Sequence, residues 1–205
     1  MKSNLNNNIL IKIENNFKNN KGLLYAFLTI LLGFSIGSIA YLLSDSNLHT
    51  LITTEITHLN SDVNFENFFE IFTQLTLKGI PFIILLLFLS SSVCGKILTF
   101  ALVTLKFSGI GMLVAYFCSF SGLKGFEYTF LVFMPGKLFY IISTLILTEC
   151  CYDFSNEISN RIHGKSSKLI DIKSYSIKIV ICFFIYLFSF TLDALNICVF
   201  SSLFK

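Results

Sequence analysis

Polar and apolar positions fall into long blocks along this chain, without the two-residue rhythm of half-buried strands. A polar, Asn-rich segment at 1–21 is followed by an uncharged run at 22–44. Further apolar runs cover 79–105, 107–123, 128–151 and 177–201. About 20 residues at about 1.5 Å each cross a hydrocarbon core of about 30 Å, so each run is a candidate membrane span. The run at 107–123 is near the minimum length. The pattern predicts an all-α fold, a polytopic transmembrane helical bundle of about five spans forming one membrane domain over 22–205. The second run holds Gly95 and Lys96 and is either one tilted helix or a broken one. The first run exceeds a secretory signal's apolar core, so a retained first span is expected.

The connections differ in charge. An outer loop at 45–78 carries Asp45, Glu55, Asp62, Glu66 and Glu70 against one terminal lysine, whereas the loop at 152–176 is basic. With the N-terminus in the cytoplasm, ten of the fifteen Lys and Arg residues lie inside. Three of the others (Lys78, Lys124, Lys205) then fall outside, and two (Lys96, Lys137) lie in the membrane. The reverse orientation would translocate the densest lysine clusters, against the positive-inside bias. Phe65, Phe68, Phe69, Phe72 and Leu75 recur at helical spacing within the outer loop. They predict an amphipathic helix, either lying in the interface as a run-in to span two or serving as a docking face for an extracytoplasmic partner.

Composition narrows the class. The chain has 205 residues, 54% hydrophobic and 13% charged, with 24 Phe and a mean hydropathy of +0.75. A soluble domain of this length could not cover so much apolar surface. A formal charge of +3 gives no nucleic-acid signal. The six cysteines lie in apolar stretches without CxxC or His/Cys spacing, so they are expected to be small buried hydrophobes, with no metal and no cofactor. HExxH and Walker patterns are absent, and the run at 106–111, KFSGIG, lacks the preceding glycine and the later intramembrane histidine of a serine protease. No catalytic residues are assigned, and the chain is expected not to be an enzyme.

The informative residues are charges inside apolar runs. Lys137 lies about 14 Å in from the outer end of span four, and Asp193 about 12 Å in from that of span five, at helical rise. Opposite charges at matched depth predict a buried ion pair, with snorkelling as the alternative for the lysine. Pro135 removes a backbone donor and frees carbonyls near residues 131 and 132, while Gly136 allows a neighbouring helix to come close. The run Pro135–Gly136–Lys137 therefore predicts a kinked helix crossing. Gly33 and Gly37 form a GxxxG pattern that marks helix contact within one chain or in a homo-oligomer.

The block at 105–141, LKFSGIGMLVAYFCSFSGLKGFEYTFLVFMPGKLFYI, resembles the stage II sporulation protein M (SpoIIM) family of endospore-forming bacteria. Lys106, Gly111, Gly122, Gly125 and Pro135 occupy its motif places, and Asp193–Ala194 in TLDALN matches an acidic-Ala pair of the last span. Gly136 stands where the family commonly has Gln or His, and the charge is displaced to Lys137. The resemblance implies a non-enzymatic scaffold of forespore engulfment, multi-pass in the cell membrane at the sporulation septum and engulfing membrane. Its partners there would be SpoIID-like and SpoIIP-like peptidoglycan hydrolases. Phe65, Phe68, Phe69 and Phe72 are the expected partner contact. The alternative reading is a small-solute or ion transporter or channel subunit, because buried charges and broken helices also line solute pathways.

Overall fold

The computed structural model describes residues 21–44, 67–164 and 172–200. Its elements are α1 (Lys21–Leu42), α2 (Phe68–Ser90), α3 (Gly95–Tyr128), a π turn (Thr129–Phe133), α4 (Met134–Ile162) and α5 (Ile172–Phe200). Among the described residues, five helical stretches are long and apolar enough to cross a membrane: Lys21–Leu42, Phe68–Ser90, Gly95–Ser119, Met134–Ile162 and Ile172–Val199. The protein is an all-helical, five-span bundle.

The spans sit in a different register from the apolar runs. The long second run is broken: α2 ends at Ser90, and a turn through Ser91–Cys94 starts α3 at Gly95. Span two therefore begins eleven residues before the expected 79, and span three absorbs both the end of the second run and the third. Span four starts at Met134 rather than 128 and continues to Ile162, into the segment expected as cytoplasmic loop. At about 1.5 Å per residue α4 exceeds the roughly 30 Å core, so one end projects beyond it. The physical reason for the shift is that charge does not end these helices. Lys78 and Lys106 lie within them, whereas serines and a glycine at 90–95, all favourable in turns, form the break.

The bundle is apolar outside and partly polar within, as a lipid solvent demands. Leu32, Leu43, Phe88, Ile97 and Leu105 are exposed, while Ser143, Thr144, Thr148, Ser155, Ser189 and Asp193 are buried. The buried hydroxyls fasten helices together. Ser143 donates to the Cys182 carbonyl at 2.8 Å, Thr144 shares a 2.7 Å bond with the Tyr186 hydroxyl, and Ser155 donates to the Ser92 carbonyl at 2.9 Å. In the core, Ile30, Phe82, Leu86, Val103, Phe107, Tyr140, Leu147, Tyr186 and Phe190 pack as one cluster.

Close approach of α1 and α3 rests on three glycines. A Cβ at Gly33 would meet the Thr104 carbonyl, one at Gly37 would overlap the Ser108 backbone, and one at Gly111 would overlap Phe34. The GxxxG pattern thus closes a contact within one chain. The contacts run in the same direction along both helices, from Tyr25–Phe100 at one end to Tyr41–Tyr116 at the other, so α1 and α3 are parallel. Pairs Lys96–Asn156, Phe107–Tyr140 and Phe117–Phe133 make α4 antiparallel to α3. Pairs Ser189–Gly136 and Phe154–Tyr175 make α5 antiparallel to α4.

Candidate functional site: charges inside the bundle

Asp193 is held where α5 crosses the start of α4. Lys137 Nζ donates to Asp193 Oδ2 at 2.5 Å, and the two side chains are 17% and 5% exposed. The same amine lies 5.1 Å from the Phe133 ring centre and 5.7 Å from that of Tyr140. Its charge is thus met by a carboxylate and two ring faces in a dry setting. Gly136 makes the pair possible: a Cβ there would overlap Asp193 Oδ1. Ser189 Oγ donates to the Gly136 carbonyl at 2.8 Å, so α5 closes on α4 through a hydroxyl as well as the ion pair.

Pro135 stands in the first turn of α4, directly after the π turn. It is therefore at a helix start, where a missing N–H costs little, rather than in mid-span as expected. The carbonyl of Leu131, four residues earlier, loses its α-helical donor, and the wider π turn is the backbone's accommodation there.

Lys106 lies in the middle of Gly95–Ser119 and Lys78 in the middle of Phe68–Ser90. The sequence pattern assigned the first to a cytoplasmic connection and the second to the outer loop. Lys96, expected within the membrane, instead lies in the first turn of α3 and donates to Asn156 Oδ1 at 2.9 Å. These moves preserve the charge bias. Among the described residues, Lys21, Lys96, Arg161, Lys173 and Lys178 group at the end assigned to the cytoplasm, against Lys124 opposite.

The Lys106 amine lies 5.7 Å from the Phe82 ring centre and within the field of the Lys137 and Lys78 charges. Among the described residues no carboxylate pairs with it. A charge near the bilayer centre costs roughly 2.5–3.5 kcal/mol on insertion scales, so a lysine there calls for a counter-charge. Three buried polar atoms among the described residues also lack a partner: Thr99 Oγ1, Tyr140 Oη and Asn196 Nδ2. Tyr140 is packed among the rings of Phe82, Phe107, Tyr186 and Phe190.

The phenylalanine stripe is divided. Phe68 and Phe72 stack on each other and pack toward Ile71, Ala194 and Cys198, while Phe69 is 77% exposed. They form the outer end of α2, continuous with span two, and Phe65 lies outside the described residues. Of the described rings of the stripe, Phe68 and Phe72 are thus half-buried against α5 and Phe69 is exposed. Four cysteines (Cys150, Cys151, Cys182, Cys198) are buried, but Cys94 and Cys118 are exposed, against the expectation for all six. No group of His, Cys, Asp and Glu among the described residues is arranged to hold a metal ion.

No protein-family model matches the chain, and no match was found among curated proteins or solved structures.

Proposed function

We propose that this protein is a non-enzymatic membrane scaffold that anchors and localises peptidoglycan-degrading partners, SpoIID-like and SpoIIP-like hydrolases, at the sporulation septum during forespore engulfment. The observation that carries a scaffold over a transporter is the closed packing at the level of the intramembrane charges. Asp193 fills the space above Gly136. The Phe190 ring occupies the space a Cβ at Gly79 would need. Tyr140 sits among four rings between them. A charge pair locked in such surroundings shapes a rigid body; it does not line a wet path. The sporulation setting rests on the resemblance of the 105–141 block and of TLDALN.

The divided stripe narrows the extracytoplasmic contact to Phe69 and the loop at 45–66. Deletion of the gene followed by microscopy of sporulating cells tests the proposal. Failure of the mother-cell membrane to migrate around the forespore is the expected result, and normal engulfment overturns it. The transporter reading draws on the π turn beside a buried ion pair, since π turns recur at functional sites. It predicts solute or ion flux into vesicles holding the purified protein, which the scaffold reading does not.

A further inference from the structure

Lys106 and Lys78 share one face of the molecule. Lys78 precedes Phe82 by four residues on α2, hence by one helical turn, and the Lys106 amine lies over that same Phe82 ring. Lys78 is exposed and Lys106 half-buried, both at mid-span, and for Lys106 the described residues supply no carboxylate. Pro81, also exposed, leaves the Leu77 carbonyl beside Lys78 without its i+4 donor, adding a second polar element to this face. On α3 the exposed residues next to Lys106 are Ala101, Leu105 and Gly109, at four-residue spacing. Nothing lies within 4 Å of where a Gly109 Cβ would be. Unlike Gly33, Gly37 and Gly111, whose missing side chains admit a helix of this chain, Gly109 offers an open approach.

We propose that the outward face between α2 and α3 docks a transmembrane helix of another protein that carries an aspartate or glutamate near its middle, paired with Lys106. The proposal rests on the scaffold reading, because it names a partner such a scaffold would hold. Charge and depth select the occupant. A second copy of this chain offers no free carboxylate at mid-depth among the described residues. Glu70 is at the outer end of α2, Glu127 is in the last turn of α3 beyond the apolar stretch Gly95–Ser119, and Glu149, beside Gly22, is at the level where α1 begins. Asp153 and Glu157 lie further along α4 in the same direction, and Asp193 is already paired. A lipid phosphate stays in the headgroup layer, about 15 Å from the midplane of a roughly 30 Å core. An acidic residue on a partner's span reaches the right depth, and its own burial is made tolerable by the same lysine.

The test co-expresses the full-length protein with single-span poly-leucine helices bearing one central Glu, one central Gln or no polar residue, and reads association by fluorescence energy transfer in the membrane. Preference for the Glu helix over the all-Leu helix is expected on the order of tenfold, as a hydrogen-bonded polar pair in lipid supports. Lys106→Met abolishes the preference, and Lys106→Arg retains it. The Glu-to-Gln comparison uses the unaltered protein, so it reads the site even if Lys106→Met fails to fold. Equal capture of all three helices overturns the proposal, as does a Glu preference that survives Lys106→Met in a folded variant. Lys106-dependent self-association without helix capture assigns the face to a second copy instead. Lys106-dependent retention of phosphatidylglycerol over phosphatidylcholine, again without helix capture, assigns it to lipid. Helix capture is measured outside sporulating cells, so its failure leaves the engulfment result standing, and normal engulfment leaves the capture result standing.

Discussion

Removing the Lys137 amine while Asp193 remains strands a carboxylate that is only 5% exposed. Breaking a buried pair from one side costs about 3–5 kcal/mol, whereas replacing both partners by apolar groups is often neutral. Lys137→Met is therefore expected to lower folded yield and thermal midpoint in detergent sharply. Asp193→Asn should also lower folded yield, and adding Lys137→Met should restore part of it. Fluorescence-detected size-exclusion after a heating series reads all three, and a double variant no better than the single one contradicts the pairing as an energetic unit. This pair was legible in the sequence, because opposite charges on consecutive apolar runs at matched depth have few other partners. Lys106 was not. Segmenting a chain by hydropathy treats a charge as a boundary, so a lysine in mid-helix is placed in a loop by construction. What marks the true break, four small polar or turn-forming residues at 90–95 without a charge, is a weaker signal in the sequence than a lysine.

Helix contacts carry the next level of the account. Gly37→Leu drives a side chain into the Ser108 backbone. It is expected to separate α1 from α3 at a cost of about 1–3 kcal/mol or more, typical of overpacking. Gly109→Ala, at the residue next to Ser108 on α3, meets open space. It should leave stability within about 0.5 kcal/mol of the parent or raise it slightly through helix propensity. Thermal midpoints of the two variants, measured in one detergent, check the contrast. The sequence predicted that Gly33 and Gly37 mark a contact, since only small residues let membrane helices approach closely. It left the partner open, because a GxxxG pattern is the same whether the facing helix is its own or another chain's. The amphipathic spacing at the start of α2 was similarly readable as a helix. That α5 covers Phe68 and Phe72 and leaves Phe69 outside depends on how two distant spans pack, which periodicity alone does not encode.

At the scale of the whole molecule, five spans and an excess of cations at one end follow from composition and charge distribution. The register of the second and third spans does not. The break at Ser91–Cys94 carries Lys78 and Lys106 to mid-membrane, while Lys137 and Asp193 form the pair inside. Cys94 reports on it directly: it is exposed in the turn, close to Lys96, at the end assigned to the cytoplasm. The decisive measurement is maleimide labelling of a variant retaining Cys94 alone, with a membrane-impermeant reagent applied to right-side-out and inside-out vesicles. Fast labelling from the cytoplasmic side only is the predicted result. Protection from both sides would place residue 94 within a continuous tilted span and contradict the account, and labelling from the outer side would contradict its orientation.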